Sequence, residues 1–355
     1  MKNEIKIENK IIGKNSPVFI IAEMSANHIQ DYDKAVEIIK AVKDAGADAI
    51  KLQTYTPDTI TIDCNNKYFQ ITQGTIWDGT TLHKLYQQAY TPWDWQPKLK
   101  KIAEKEGLIC FSSPFDNTAV DFLEKMDVQA YKVASLEITD IPFIEYIASK
   151  GKPVIMSTGI ANLSDIEEAV SACKRMGNNK IILLKCTSAY PSPMEEINLK
   201  TMPNLSETFD VITGLSDHTL GSAVSIAAVA LGAKVIEKHF ILNRDEKGPD
   251  AAFSMEPKEF KKMVEDIRSV EKALGKVTYE LTEKQKKSKE HSRSLFVVKD
   301  IKEGELFTRE NVRSIRPGFG MRTKYIKDIL GKTVKMDLKK GTPMEWKFIK
   351  EDSII

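Results

Sequence analysis

Cysteine is scarce in this chain and does not cluster: Cys64, Cys110, Cys173 and Cys186 are the only four in 355 residues, with no CxxC pair. That spacing excludes a zinc-thiolate cluster or a disulfide framework and reads as buried free thiols. Long apolar runs are missing as well. The longest, Val18 to Ala22 and Ala223 to Leu231, fall short of the ~20 residues that cross a bilayer. Met1 to Lys14 has no apolar signal core, so the chain is expected in the cytosol, away from membranes. No sign of charge dominates either. Lys+Arg 52 against Asp+Glu 50 leaves +2, which provides no global field for nucleic acid and makes any anion site a local one. With 42% hydrophobic and 29% charged residues, Gly 18 and Pro 14, the composition is that of a globular chain able to bury a large core.

What is present is a rhythm. From Val18 to Phe240 a short β-branched run ending in polar residues alternates with an amphipathic stretch, which predicts parallel strands with helical crossovers. The strand candidates start at Val18, Ala49, Ile109, Ala130, Pro153, Ile181, Val211 and Val235. Eight such strands close a (β/α)8 TIM barrel, an α/β fold. Ala35, Ile38, Ile39 and Val42 recur at helical spacing, with Asp31 or Asp33 to start that helix and Gly46 to end it. Ser164 with Glu167 reads as a capping box after strand five. An excursion from Pro57 to Trp95, rich in aromatics, is long enough to be a lid or binding insertion. The barrel domain is assigned to residues 1–282. The charged run Glu283 to Glu290 reads as a solvated linker. Residues 291–355, with the strand-like runs SLFVV and KTVKMDL between glycine-bearing turns, read as a small β-rich second domain.

Barrel enzymes work at the C-terminal mouths of their strands, and here those positions are polar. In order they offer Glu23, Asn27 and His28; Lys51 and Gln53; Ser112 and Ser113; Lys132, Ser135 and Glu137; Ser157 and Thr158; Lys185, Thr187, Ser188 and Tyr190; Ser216, Asp217 and His218; Glu237, Lys238 and His239. A single Ser or Thr there is commonly a cap, and a strand lysine can snorkel from an edge. A closed barrel has no edge, however, so Lys51, Lys132 and Lys185 are expected to meet an anion inside the mouth. Hydroxyls beside several lysines suit a phosphate and a carboxylate together. Each of His218 and His239 alone reads as a core histidine. At adjacent mouths, the pair can share one divalent cation that keeps open positions for water and substrate.

These strand ends, taken together, resemble the sialic acid synthase family, which condenses phosphoenolpyruvate with an amino sugar. The matching pieces are IAEMSANH (21–28), KLQT (51–54), SSPFD (112–116), YKVASLE (131–137), STG (157–159), LKCTSAYPSP (184–193), GLSDHT (214–219), EKHF (237–240) and GPDAAFSMEP (248–257). SLFVVKDIKEGE, SIRPGFGM and GKTVKMDLKKGTP look like the antifreeze-like (SAF) domain that these synthases carry. The resemblance implies that Lys51, Ser113, Lys132, Ser135, Ser157, Ser188 and Ser216 hold phosphoenolpyruvate, with Ser188 standing where some relatives have asparagine. It implies that Glu23 and Glu137 are catalytic and that Gln53, Tyr190, Asp250 and Arg316 contact the sugar. His218 and His239 would hold the metal, usually manganese, with magnesium or cobalt as substitutes. It also implies a homodimer in which the SAF domain of one chain serves the other.

Gly74 to Trp95 looks like the segment of the branch that makes pseudaminic acid, where a 6-deoxy, bis-acetamido sugar favours apolar walls, here Trp77, Tyr86, Trp93 and Trp95. The neighbouring alternatives are N-acetylneuraminic and legionaminic acid synthesis. More remote ones are a Schiff-base aldolase using Lys132 or Lys185, and a non-catalytic sugar-binding protein.

Overall fold

The structure is a computed structural model that describes residues 4–72, 74–246 and 248–351. Residues 1–3 of the N-terminal segment, Gln73 of the excursion and 352–355 of the expected second domain lie outside the described residues. The chain divides into two units, Met1–Gly275 and Lys276–Ile355.

In the first unit, eight parallel strands close a barrel in sequence order, the last pairing with the first. They are Phe19–Glu23, Ala49–Thr54, Ile109–Pro114, Tyr131–Val133, Val154–Ser157, Ile181–Cys186, Ile212–Asp217 and Val235–His239. Each lies within one of the expected runs. Alternation along a strand divides the packing: Phe19 and Ile21 join Ala49, Ile109 and Phe111 in one core cluster, whereas Ile20 and Ala22 join Ile38, Ile39 and Val42 in another. The helix that supplies those last residues, Tyr32–Asp44, starts at Asp31, whose side chain accepts from the Lys34 amide at 3.1 Å.

Local details depart from expectation where two signals compete. The helix after strand five is Leu163–Arg175, and its capping box pairs Asn162 with Asp165 rather than Ser164 with Glu167. Asn162 accepts from the amides of both Ser164 and Asp165, so the turn closes two residues earlier. An N-terminal hairpin, Ile5–Ile7 with Lys10–Ile12, is too short to show a period, yet it buries Ile5, Ile7 and Ile12. The excursion carries helices Pro57–Ile60 and Leu82–Ala89.

In the second unit, the run read as a linker is helical over Glu283–Lys289, capped by Thr282, with no buried residue. Ser294–Val297 and Val312–Ile315 pair antiparallel over a core that includes Leu295, Val297, Phe307 and Val312. KTVKMDL forms no regular strand. Thr333, Val334 and Leu338 make isolated bridges to three separate partners, Leu306, Ile349 and Ile301.

Register explains the dense charge in GLSDHT and EKHF. Glu237 sits opposite Ser216 and Lys238 opposite Asp217, so alternate residues face opposite sides. The outward pair is structural. Lys238 Nζ lies 2.9 Å from Asp217 Oδ2, with both side chains fully buried, and donates to Thr219 O at 2.6 Å. Asp217 also accepts from the Thr219 and Ser225 hydroxyls. Lys238→Ala would strand a buried carboxylate and should cost about 3–5 kcal/mol. Chemical denaturation checks this, and a loss below about 1 kcal/mol, the scale of an exposed pair, contradicts it.

Candidate active site

The strand register assembles the inward polar residues into a contiguous belt. His239 is opposite Glu23, Glu23 opposite Lys51, and Glu237 opposite Ser216. A cavity of about 340 Å³ opens at these ends, lined by Glu23, Lys51, Gln53, Lys132, Ser135, Glu137, Ser157, Tyr190, Ser216, His218, His239 and Asp250, among others. Two candidates sit just behind the lining. Ser113 accepts from Lys51 Nζ at 3.3 Å. Ser188 lies against Gly159, where an added Cβ would come within 2.1 Å of its Oγ and 2.7 Å of Ser135 Oγ. The STG glycine is therefore what lets two hydroxyls close on the loop after strand five. Arg316 belongs to the second unit, where it is exposed.

Two carboxyls share the buried lysines. Lys51 contacts Glu23 directly and lies 3.6 Å from Glu237, and Lys132 lies 3.9 Å from the same Glu237 oxygen. Burial pushes Glu237 up, but Lys132, Lys51 and His218 outweigh it and hold the carboxyl below its usual range. Glu23 goes the other way: burial raises it to about 7 despite Lys51, with the nearby Glu237 charge adding to the rise. Glu137 is also raised by burial to about 7, and its Oε2 is buried without a hydrogen-bond partner. Environments that drive neighbouring carboxyls apart are those of acid–base sites. Lys132 Nζ donates to Ser157 Oγ at 2.7 Å and to Val133 O at 2.9 Å, and burial lowers its pKa. Lys185 lies apart from the lining, its ammonium on Cys186 O at 2.6 Å and Thr187 Oγ1 at 3.2 Å. That placement corrects the expectation that all three strand lysines meet one anion.

The imidazoles of His218 and His239 lie 5.3 Å apart, centre to centre. His218 Nδ1 faces Thr187 O at 3.2 Å, whereas His239 Nδ1 is buried with no partner. Burial, reinforced by His218 and the surrounding lysines, keeps His239 well below its usual pKa and hence neutral. A buried, unpartnered, neutral imidazole fits a divalent cation of the manganese, cobalt or zinc kind. Burial of His218, by contrast, is outweighed by Cys186 and the Thr187 carbonyl, which raise its pKa, so that ring must give up a proton to share the cation. The protein would supply only part of the shell: among the described residues, no group of three His, Cys, Asp or Glu is arranged around a metal position.

The sugar candidates are linked to one another. Gln53 Nε2 donates to Ser25 Oγ at 2.9 Å and to Glu23 Oε1 at 3.2 Å, and the Ser25 hydroxyl in turn donates to Asp250. Tyr190 stacks at 4.5 Å from His218. Of the four aromatics expected to form an apolar wall, Trp77 and Tyr86 line the cavity and the other two do not. Trp93 donates to Tyr55 O and packs on Phe122, and Trp95 packs against His28 and Tyr32. Both anchor the end of the excursion to the barrel.

Residues 38–279 match the NeuB family and residues 292–350 the SAF domain. The chain belongs to the NeuB family. This is the sialic acid synthase family to which the strand-end motifs pointed. The chain is 47% identical to the pseudaminic acid synthase of Helicobacter pylori, covering 92% of this chain and 96% of that one. It is 46% identical to the pseudaminic acid synthase of Campylobacter jejuni strain 81-176, covering 92% and 95%. Among solved structures, the N-acetylneuraminic acid synthetase of Leptospira borgpetersenii, in complex with citrate, superposes with a TM-score of 0.72 at 34% identity, covering 81% of this chain and 95% of that one.

Sequence reasoning assigned no role to Glu237, the carboxylate between the two lysines. The signal was present: Glu237 is two residues before His239 on one strand, hence on the same inward face. Ser25, Tyr55 and Phe115 also line the cavity, and nothing in their local sequence sets them apart from core residues.

Proposed function

We propose that this chain condenses phosphoenolpyruvate with 2,4-diacetamido-2,4,6-trideoxy-altropyranose and water, giving pseudaminic acid and phosphate. The observation that carries the reading is one cavity joining buried lysines and serine hydroxyls, a neighbouring imidazole pair and an apolar wall. The names of the two bacterial relatives at 46–47% identity favour this sugar over the neuraminic and legionaminic alternatives.

Lys51, Lys132, Ser135, Ser157 and Ser216, with Ser113 and Ser188 behind them, hold the phosphate and carboxylate of phosphoenolpyruvate. Gln53, Tyr190 and Asp250 orient the open-chain sugar. His218 and His239 would hold a divalent cation, manganese first among the candidates, which would supply Lewis acidity toward the aldehyde. C3 of phosphoenolpyruvate bonds to the aldehyde carbon, whose oxygen takes up a proton. Water adds at C2, giving its proton to Glu137 or Glu23, the two carboxyls that burial raises to about 7. The C2–O bond to phosphate then breaks as the C2 hydroxyl passes its proton to the departing phosphate, the lysines hold that anion, and a 2-keto acid remains. We further infer a homodimer in which the second unit of one chain brings Arg316 to the barrel of the other.

Phosphate release measured with phosphoenolpyruvate and a panel of amino sugars tests the reading. The trideoxy sugar should exceed N-acetylmannosamine in kcat/KM by about 100-fold, because an apolar wall rejects an added hydroxyl only to that extent. A higher value with N-acetylmannosamine overturns the sugar while leaving the synthase. Turnover that survives chelation, with borohydride trapping of Lys132, points to a Schiff-base aldolase instead.

A further inference from the structure

The helix Leu82–Ala89 carries an apolar stripe, Leu82, Leu85, Tyr86 and Ala89, at the i, i+3, i+4, i+7 spacing of a core-facing helix. Yet none of its residues is buried, and none of these four belongs to the barrel's core clusters. All four line the cavity instead. An amphipathic face turned toward a cavity rather than a core lacks its apolar partner, and a ligand is what can complete it. Two contacts fix the stripe relative to the reacting groups. Tyr86 packs at 5.5 Å on the buried Tyr55, which bounds the same cavity. Trp77, five residues before the helix, stacks at 5.6 Å on Tyr190 and donates its indole N–H to Pro249 O at 3.0 Å. Since Tyr190 stacks in turn on His218, the excursion is two ring contacts removed from the imidazoles.

We propose that this helix is the specificity element of the site: its apolar face takes the substituents of the amino sugar remote from the aldehyde, the C6 methyl and the methyl of a 4-acetamido group. The assignment rests on the proposed synthase reading and deepens it. The aliphatic part of the face, Leu82, Leu85 and Ala89, has no side-chain hydrogen bond to offer hydroxyls at C4 and C6, so it acts on the choice between sugars and not on the capture of phosphoenolpyruvate.

The test compares kcat/KM for the trideoxy sugar and for N-acetylmannosamine in the full-length protein, together with KM for phosphoenolpyruvate. Leu85→Asn keeps the branching and number of side-chain heavy atoms and removes the apolar surface. It should lower kcat/KM for the trideoxy sugar about 10- to 100-fold, the range of a lost methyl contact, while the value for N-acetylmannosamine and the KM for phosphoenolpyruvate stay within about threefold. Leu85→Met should restore the preference. If Leu85→Asn fails to fold, Ala89→Leu, which fills the same face, should lower the ratio in the same direction. A ratio unchanged in these variants, or an equal fall on both sugars, overturns the specificity role while the synthase reading stands. Wild-type protein that releases no phosphate with either sugar sinks that reading and the inference with it, and is told apart by that arm alone.

Discussion

Dialysis against a chelator is expected to abolish phosphate release, and manganese added back is expected to restore it. The motive is the imidazole pair: His239 Nδ1 is buried with no hydrogen-bond partner, at a mouth where Glu137 Oε2, Glu237 Oε2 and Ser188 Oγ are unpartnered too. An unmet buried nitrogen costs about 1–3 kcal/mol, and a bound cation would remove that cost. Held neutral by burial and by the positive charges around it, His239 is already in the form that binds metal. Lewis acidity supplies several kcal/mol to the transition state, so His218→Ala or His239→Ala should lower turnover by about a thousandfold or more. Folding should suffer far less, since both rings lie at strand ends rather than in the barrel core. Electron paramagnetic resonance of added manganese provides a second readout, with the bound signal lost in either variant at an unchanged melting temperature. Full turnover by protein shown to be metal-free contradicts the assignment.

The barrel was legible because it is written in repetition. Eight β-branched runs ending in polar residues leave little choice of topology, and the belt at the mouth follows once register is fixed by alternation. What escaped the sequence depends on neighbours distant along the chain. Lys185 and Lys132 look equivalent as interruptions of apolar strands. Only the structure separates Lys132, on Ser157 and near Glu237, from Lys185, held by Cys186 and Thr187. Trp93 and Trp95 look like the wall-forming Trp77, but their indoles are taken up by Tyr55, Phe122, His28 and Tyr32. The stripe from Leu82 to Ala89 can be read as helical from its spacing. That it faces a cavity cannot, because an apolar face of the same pattern ordinarily marks the core. Asp217 and Lys238 reverse the lesson: two charges inside the most specific motifs serve the fold, bonded to each other away from the mouth.

Mixing two inactive proteins should restore activity. His239→Ala disables the proposed metal position of the barrel and Arg316→Ala the arginine of the second unit, which is exposed and lies three residues before the exposed Phe319. The short charged helix Glu283–Lys289 at the start of the second unit buries none of its residues. If each second unit serves the other chain's barrel, a mixed dimer has one site with both defects and one with neither. Random pairing after reversible dissociation makes half of the dimers mixed, so about a quarter of all sites should regain activity. Neither parent should exceed its own low background, and recovery should track the fraction of mixed dimers measured by native mass spectrometry. If Arg316 serves its own barrel, every site keeps one defect and nothing returns. No recovery in samples with verified mixed dimers therefore rules out the exchanged arrangement and leaves the second unit acting on its own chain.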